Sequence, residues 1–199
     1  MMSAPGAVIL LNGASSAGKS TVARALQQRF DVPLWHLSID HLRESGAWPM
    51  ARIRAGEFDW RRTRETFFEG FHRAIPAIAA AGNHLVVEHI VETEAWLGRL
   101  LTLLDGLDVF FVGVHCPLAE LERRERARGD RPIGDARRDF ESVHAFVVYD
   151  LELDGTVSVE RNVGSLVDAW RRRAQPSAFD RMRAARPASV GQPPEETLP

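Results

Sequence analysis

The chain has 199 residues, 45% hydrophobic and 26% charged, the size and balance of one globular domain with a normal core. A formal net charge of −2 excludes bulk attraction to nucleic acid or anionic lipid, and a single cysteine, Cys116, excludes an intrachain disulfide. The first apolar run, residues 7–11, is too short for a signal peptide or a membrane span, so a cytoplasmic protein without membrane or nucleic-acid partners is expected.

In chain order, short apolar runs alternate with longer helical patterns. Residues 7–12 predict a buried strand and 19–30 a helix with Val22, Ala23, Leu26 and Phe30 on one face. Residues 34–40 predict a second strand, and 60–81 a long helix stopped by Gly82-Asn83. A third strand is expected over 85–90, a helix over 94–104 and a fourth strand over 109–115. Residues 118–128 predict a charged helix ended by Gly129, then 135–144 a further helix, 149–154 a fifth strand and 164–173 the last helix. Near-continuous apolar strands separated by helices imply an α/β fold whose five-stranded parallel sheet is covered on both faces. From Pro176 the composition turns to Pro, Ala, Ser and Glu. Residues 1–175 therefore read as one domain and 176–199 as a C-terminal extension with a mobile end.

The sharpest signal is Gly13-Ala14-Ser15-Ser16-Ala17-Gly18-Lys19-Ser20, which fits G-x-x-x-x-G-K-[ST], follows an apolar strand and opens a helix. Glycines let the backbone turn its N–H groups inward around phosphate oxygens, and the helix adds its positive end. This loop with Thr21 is expected to hold ATP. Lys19 reaches the β and γ phosphates and the Ser20 hydroxyl ligates Mg²⁺.

Two acids end apolar strands. Asp40 is either the base that orients an attacking hydroxyl or the N-cap of a helix starting at His41. Glu88 stands where P-loop proteins place the acid of the Mg²⁺ shell, usually an aspartate; it serves the metal or the substrate, and the adjacent His89 the substrate or the core. Residues 122–131 are dense in arginine and carry Gly129 as a hinge. Arg124, Arg128 and Arg131 are assigned to phosphate on lid closure, while Arg123 and Arg126 read as a solvated face paired with glutamates. Trp48 and Phe58, in the aromatic stretch after Asp40, form either an apolar acceptor pocket or ordinary core packing.

Residues 9–20, Ser38 to Leu42, and 107–116 continuing through Ala127-Arg128-Gly129-Asp130-Arg131 together resemble the chloramphenicol phosphotransferase family. His144 and residues 149–154 correspond as well, so the resemblance covers most of 7–173. It implies a three-layer, nucleoside-monophosphate-kinase-like P-loop fold with an arginine lid. It also implies ATP-dependent phosphorylation of a hydroxyl on an antibiotic, giving resistance by inactivation, with Asp40 as base and Arg128 and Arg131 facing phosphate. The stretch 43–60 and the Glu88-His89 strand end depart from that family's pattern. The alternatives are a kinase of another small metabolite or nucleotide-sugar, for which Arg61, Arg62 and Arg64 are available, and an ATP-driven regulatory switch. A guanine-reading N-K-x-D motif is excluded, because Lys19 is the only lysine.

Overall fold

The apolar runs form five parallel strands among residues 4–129 and 133–186, which the computed structural model describes. They are β1 (Val8–Asn12), β2 (Leu34–Ser38), β3 (His84–His89), β4 (Val109–His115) and β5 (Leu151–Asp154), in spatial order β2-β3-β1-β4-β5. The interleaved helices are α1 (Lys19–Gln27), α2 (Ile39–Glu44), α3 (Met50–Arg54), α4 (Trp60–Ala80), α5 (Glu94–Leu103), α6 (Leu118–Arg128), α7 (Asp135–Ser142), α8 (Val159–Arg171) and α9 (Ala178–Ala184).

Side chains alternate across β1, so the sheet feeds two cores. Val8 and Leu10 join Phe71, Ile75, Leu100 and Phe111 under α4, α5 and α9, whereas Ile9 and Leu11 join Leu26, Leu121 and Leu166 under α1, α6 and α8. The result is the three-layer kinase fold expected. β1 lies between β3 and β4, so successive crossovers leave it on opposite sides, and the loop after β1 opens at that switch point.

Several boundaries differ from expectation. β2 stops at Ser38, whose hydroxyl accepts the His41 N–H at 3.1 Å and caps α2. Asp40 is therefore neither a strand end nor an N-cap: it sits in the first turn of α2. α2 starts at Ile39, two residues ahead of the alternative helix at His41, and α3 has no counterpart among the expected elements, because segments of five or six residues carry no usable periodicity. α8 begins at Ser158, its cap, rather than at Gly164, which is an interior helical residue. The region expected as an extension starts with α9, closed by a capping box between Ser177 and Asp180. Ala178 and Phe179 are buried, with Phe179 edge-on to Phe111 at 5.0 Å between centroids. Residues 187–199, expected as the mobile end, lie outside the described residues.

Candidate active site

The loop from Gly13 to Ser20 is fixed at its root by Asn12. The buried Asn12 side chain donates to the Val143 carbonyl and the Tyr149 hydroxyl, each at 2.8 Å, and accepts the Val91 N–H at 2.8 Å. Gly13 is required by contact: a Cβ there would meet the Val114 carbonyl oxygen at 2.5 Å. Gly18 is required by conformation, with φ at 101° as the residue preceding α1.

The helix α1 has no side-chain cap, unlike α2, α4, α5, α8 and α9, each capped by a Ser, Thr or Asp side chain, and its first turn holds no acidic residue. Its first N–H groups thus lack a side-chain acceptor, the arrangement that suits an anion. Lys19, 8% exposed, extends back over the loop and donates from Nζ to the carbonyls of Gly13 and Ala14 at 2.7 and 2.8 Å. The cradle, the uncapped helix and the lysine fit a nucleotide polyphosphate.

Below the loop, Ser20 Oγ donates to Glu88 Oε2 at 2.7 Å, and His36 Nε2 lies 2.6 Å from Glu88 Oε1. Burial pushes the Glu88 carboxyl upward, but the His36 hydrogen bond, the Lys19 charge and the Ser20 hydroxyl outweigh it and hold the group below its usual range. A hydroxyl beside an ionised carboxylate suits a hard cation such as Mg²⁺. No cluster of three or more His, Cys, Asp or Glu side chains suited to a metal occurs among the described residues.

One cleft of about 1340 Å³ brings these groups together. It is lined by Ser15 to Val22, Asp40, Glu88, His89, Arg124 and Arg128. Arg124 crosses the loop, donating to the Ser16 carbonyl at 3.3 Å and the Gly155 carbonyl at 2.9 Å, while Glu120 holds its Nε at 2.7 Å. Arg123 is exposed and paired with Glu120, as read from the sequence. Arg131 lies outside the described residues.

Not every candidate reaches the cleft. Trp48 packs edge-on against Phe67 at 5.2 Å, and Phe58, 40% exposed, lies under the Arg52 guanidinium at 4.4 Å. Neither lines the site; the core-packing reading describes Trp48. His89 faces the cleft but is buried against Phe68, Phe71 and Trp96, and its Nε2 meets His72 Nε2 at 2.8 Å.

Other residues were not read from sequence. Asp139, 1% exposed on α7, accepts the Ser15 N–H at 2.9 Å and pairs with Arg138 at 3.0 Å. Glu92 joins Arg138 at 3.8 Å to Arg64 at 2.6 Å, and the Arg64 guanidinium lies within 4.8 Å of the centroids of both Phe68 and Trp96, which stack on each other. Asp139, Arg138, Glu92, Arg64 and Phe68 line the same cleft as Asp40, along with Arg43, Trp60 and Arg61. The run Asp135-Ala136-Arg137-Arg138-Asp139-Phe140 in α7 offered no motif to find Asp139.

A phosphate loop on a five-stranded parallel sheet, with a lysine, a hydroxyl-carboxylate pair and an arginine helix around one cleft, defines a P-loop kinase. The chain belongs to the chloramphenicol phosphotransferase-like family, whose model matches residues 6–170. It is 32% identical over 198 residues to a Mycobacterium tuberculosis protein described as "Putative O-phosphotransferase", covering 89% of this chain and 88% of that one. The fold is similar to that of an APS kinase from the same organism, solved with AMPPNP and APS: TM-score 0.63, 21% identity, 84% of this chain and 98% of that one. It is also similar to a sugar kinase from Janibacter (TM-score 0.64, 17% identity, 84% and 95% coverage) and to shikimate kinase from Aquifex aeolicus (0.58, 16%, 83% and 96%). The chain is thus an ATP-dependent phosphotransferase. No helix among the described residues is long and apolar enough to cross a membrane.

Proposed function

We propose that this protein transfers the γ-phosphate of ATP to a hydroxyl of a small drug-like molecule in the cytoplasm, an antibiotic of the chloramphenicol kind, and so inactivates it. The observation that carries the proposal is the single cleft joining the phosphate loop to Asp40. A drug-sized ligand fills a pocket of roughly 300–1,000 Å³, so a cleft of about 1340 Å³ has room for a nucleotide and an acceptor side by side.

In the proposed mechanism the loop amides and Lys19 hold the polyphosphate in line with the acceptor. Ser20 and Glu88 hold Mg²⁺, which when bound spreads the negative charge of the transferring group. Asp40 accepts or orients the proton of the attacking hydroxyl. Arg124 and Arg128 neutralise charge on the nucleotide side, and Arg131 keeps the same assignment from the sequence alone. Trp60, which lines the same cleft as Asp40, offers apolar surface to the acceptor.

A second reading, a charged metabolite or nucleotide-sugar acceptor, is favoured by Arg61 and Arg64, which line the cleft; Arg62 does not. The mechanism is tested by Asp40→Ala. Binding of a non-hydrolysable ATP analogue should stay within about twofold while transfer falls at least about 100-fold, in the range of general-base removal. Near-normal turnover would remove Asp40 from the role.

A further inference from the structure

Glutamate in place of the usual aspartate sets a mechanical problem. Its extra methylene gives the carboxylate one more rotatable bond, and a flexible ligand holds a cation poorly unless something fixes it. The two oxygens of Glu88 have different partners. Oε2 accepts from Ser20, and Oε1 meets His36 Nε2 at 2.6 Å.

His36 reaches Glu88 because of sheet register. β2 and β3 pair His36 with Val86 and Ser38 with Glu88, so positions 36 and 88 share a sheet face on adjacent strands. Leu34 and Val86 place that face in the core under α1. The His36 side chain is 6% exposed and does not line the cleft, so it meets the site through Glu88. An ionised carboxylate has no proton to give, so the hydrogen between the two belongs to His36 Nε2. The imidazole is packed as well: the His41 ring stands edge-on, 4.4 Å between centroids.

We infer that His36 is a positioning residue, which clamps one oxygen of Glu88 so that the other is presented with Ser20 to the metal. The inference rests on the assignment of Ser20 and Glu88 to Mg²⁺. His36 is the holder that lets a glutamate fill an aspartate's place, and it acts on metal retention rather than on nucleotide contact.

The test uses Mn²⁺ as probe, with full-length protein and a non-hydrolysable ATP analogue, reading free Mn²⁺ by electron paramagnetic resonance. His36→Leu removes the donor and keeps bulk, whereas His36→Gln keeps an N–H at similar reach. His36→Leu should weaken Mn²⁺ retention by about tenfold, the low end for loss of a residue that orients a metal ligand. His36→Gln should restore most of it, and analogue binding in EDTA should be unchanged in both. Thermal unfolding of the two variants separates a loss of fold from a loss of metal. Equal Mn²⁺ affinity in the two folded variants would overturn the inference. Glu88→Gln separates the layers. If it weakens Mn²⁺ retention and His36→Leu does not, the positioning role alone fails. If Glu88→Gln leaves retention unchanged, the metal assignment fails and the inference with it.

Discussion

Lys19 shows how much one side chain can carry. Of the 25 lysines and arginines in the chain it is the only lysine. Its Nζ donates to the carbonyls of Gly13 and Ala14, contacts that a compact ammonium makes as a point charge and a planar guanidinium does not reproduce. Both Lys19→Ala and Lys19→Arg should lower kcat/KM by about 100- to 1000-fold, the usual loss when a charge-stabilising donor is removed, as read by ADP release. His72 makes a prediction of another kind. Burial against His89 and Trp96, helped by the Arg99 charge and opposed by the Glu69 and Glu65 carboxylates, depresses its pKa from 6.5 to about 4. Below pH 6.5 the unfolded chain takes up a proton that the native state refuses until about pH 4, so stability falls across that window and not further below it. Burial lowers the His89 pKa in the same direction. The contribution of His72 is of order 3 kcal/mol over the full window. Urea unfolding at pH 7 and pH 4.5 should show the loss, and His72→Gln should flatten it. Residues placed by a local motif were legible in the sequence: the loop from Gly13 to Ser20 and the strand-ending Glu88 both lie on the cleft. His36, Glu92, Arg138 and Asp139 were not, because each matters only through a partner at least 15 positions away or across the cleft.

At the scale of elements, α7 is tied to the phosphate loop and to the lid. Asp139 holds the Ser15 N–H, and Glu125 near the end of α6 accepts the N–H groups of Gly134 and Ala136 at 3.0 and 2.9 Å. The Glu125 carboxylate thereby ties the end of α6 to the start of α7. Asp139→Ala leaves the Ser15 amide without its acceptor and takes one of three carboxylate partners from Arg138, the others being Asp135 and Glu92. It should cost about 1–3 kcal/mol of unfolding free energy, measured by denaturant titration. The long amphipathic helices α4, α5 and α6 were read to within about two residues, since periodicity accumulates over several turns. The stretch after β2 was not. Ser38 leaves the strand to cap α2, and that choice is made by one hydroxyl and the His41 amide. The same choice moves Asp40 from a strand end into a helical first turn, while leaving it on the cleft wall.

For the whole molecule, the parallel sheet places the ends of β1, β2 and β3 on one edge. The phosphate loop, the Asp40 helix and Glu88 therefore meet without any contact between them in sequence. That convergence was legible from the order of strands and helices. The closing of the far core by α9 was not, because a Pro- and Ala-rich composition hides a capped helix. Phe179→Ala should cost about 3–5 kcal/mol, since it empties a fully buried site against Phe111. A chain truncated after residue 175 should lose cooperative thermal unfolding. The central claim is the transfer of a phosphoryl group to a hydroxyl of a small molecule, and mass spectrometry tests it most directly. The protein is incubated with Mg-ATP and a panel of hydroxylated antibiotics, sugars and nucleotide-sugars, and each product is weighed. The account predicts that an antibiotic gains the mass of one phosphoryl group with wild-type protein and does not with Asp40→Ala. Gain confined to a sugar or nucleotide-sugar would contradict the proposed acceptor, and no gain in any compound, with ATP bound, would contradict the transfer itself.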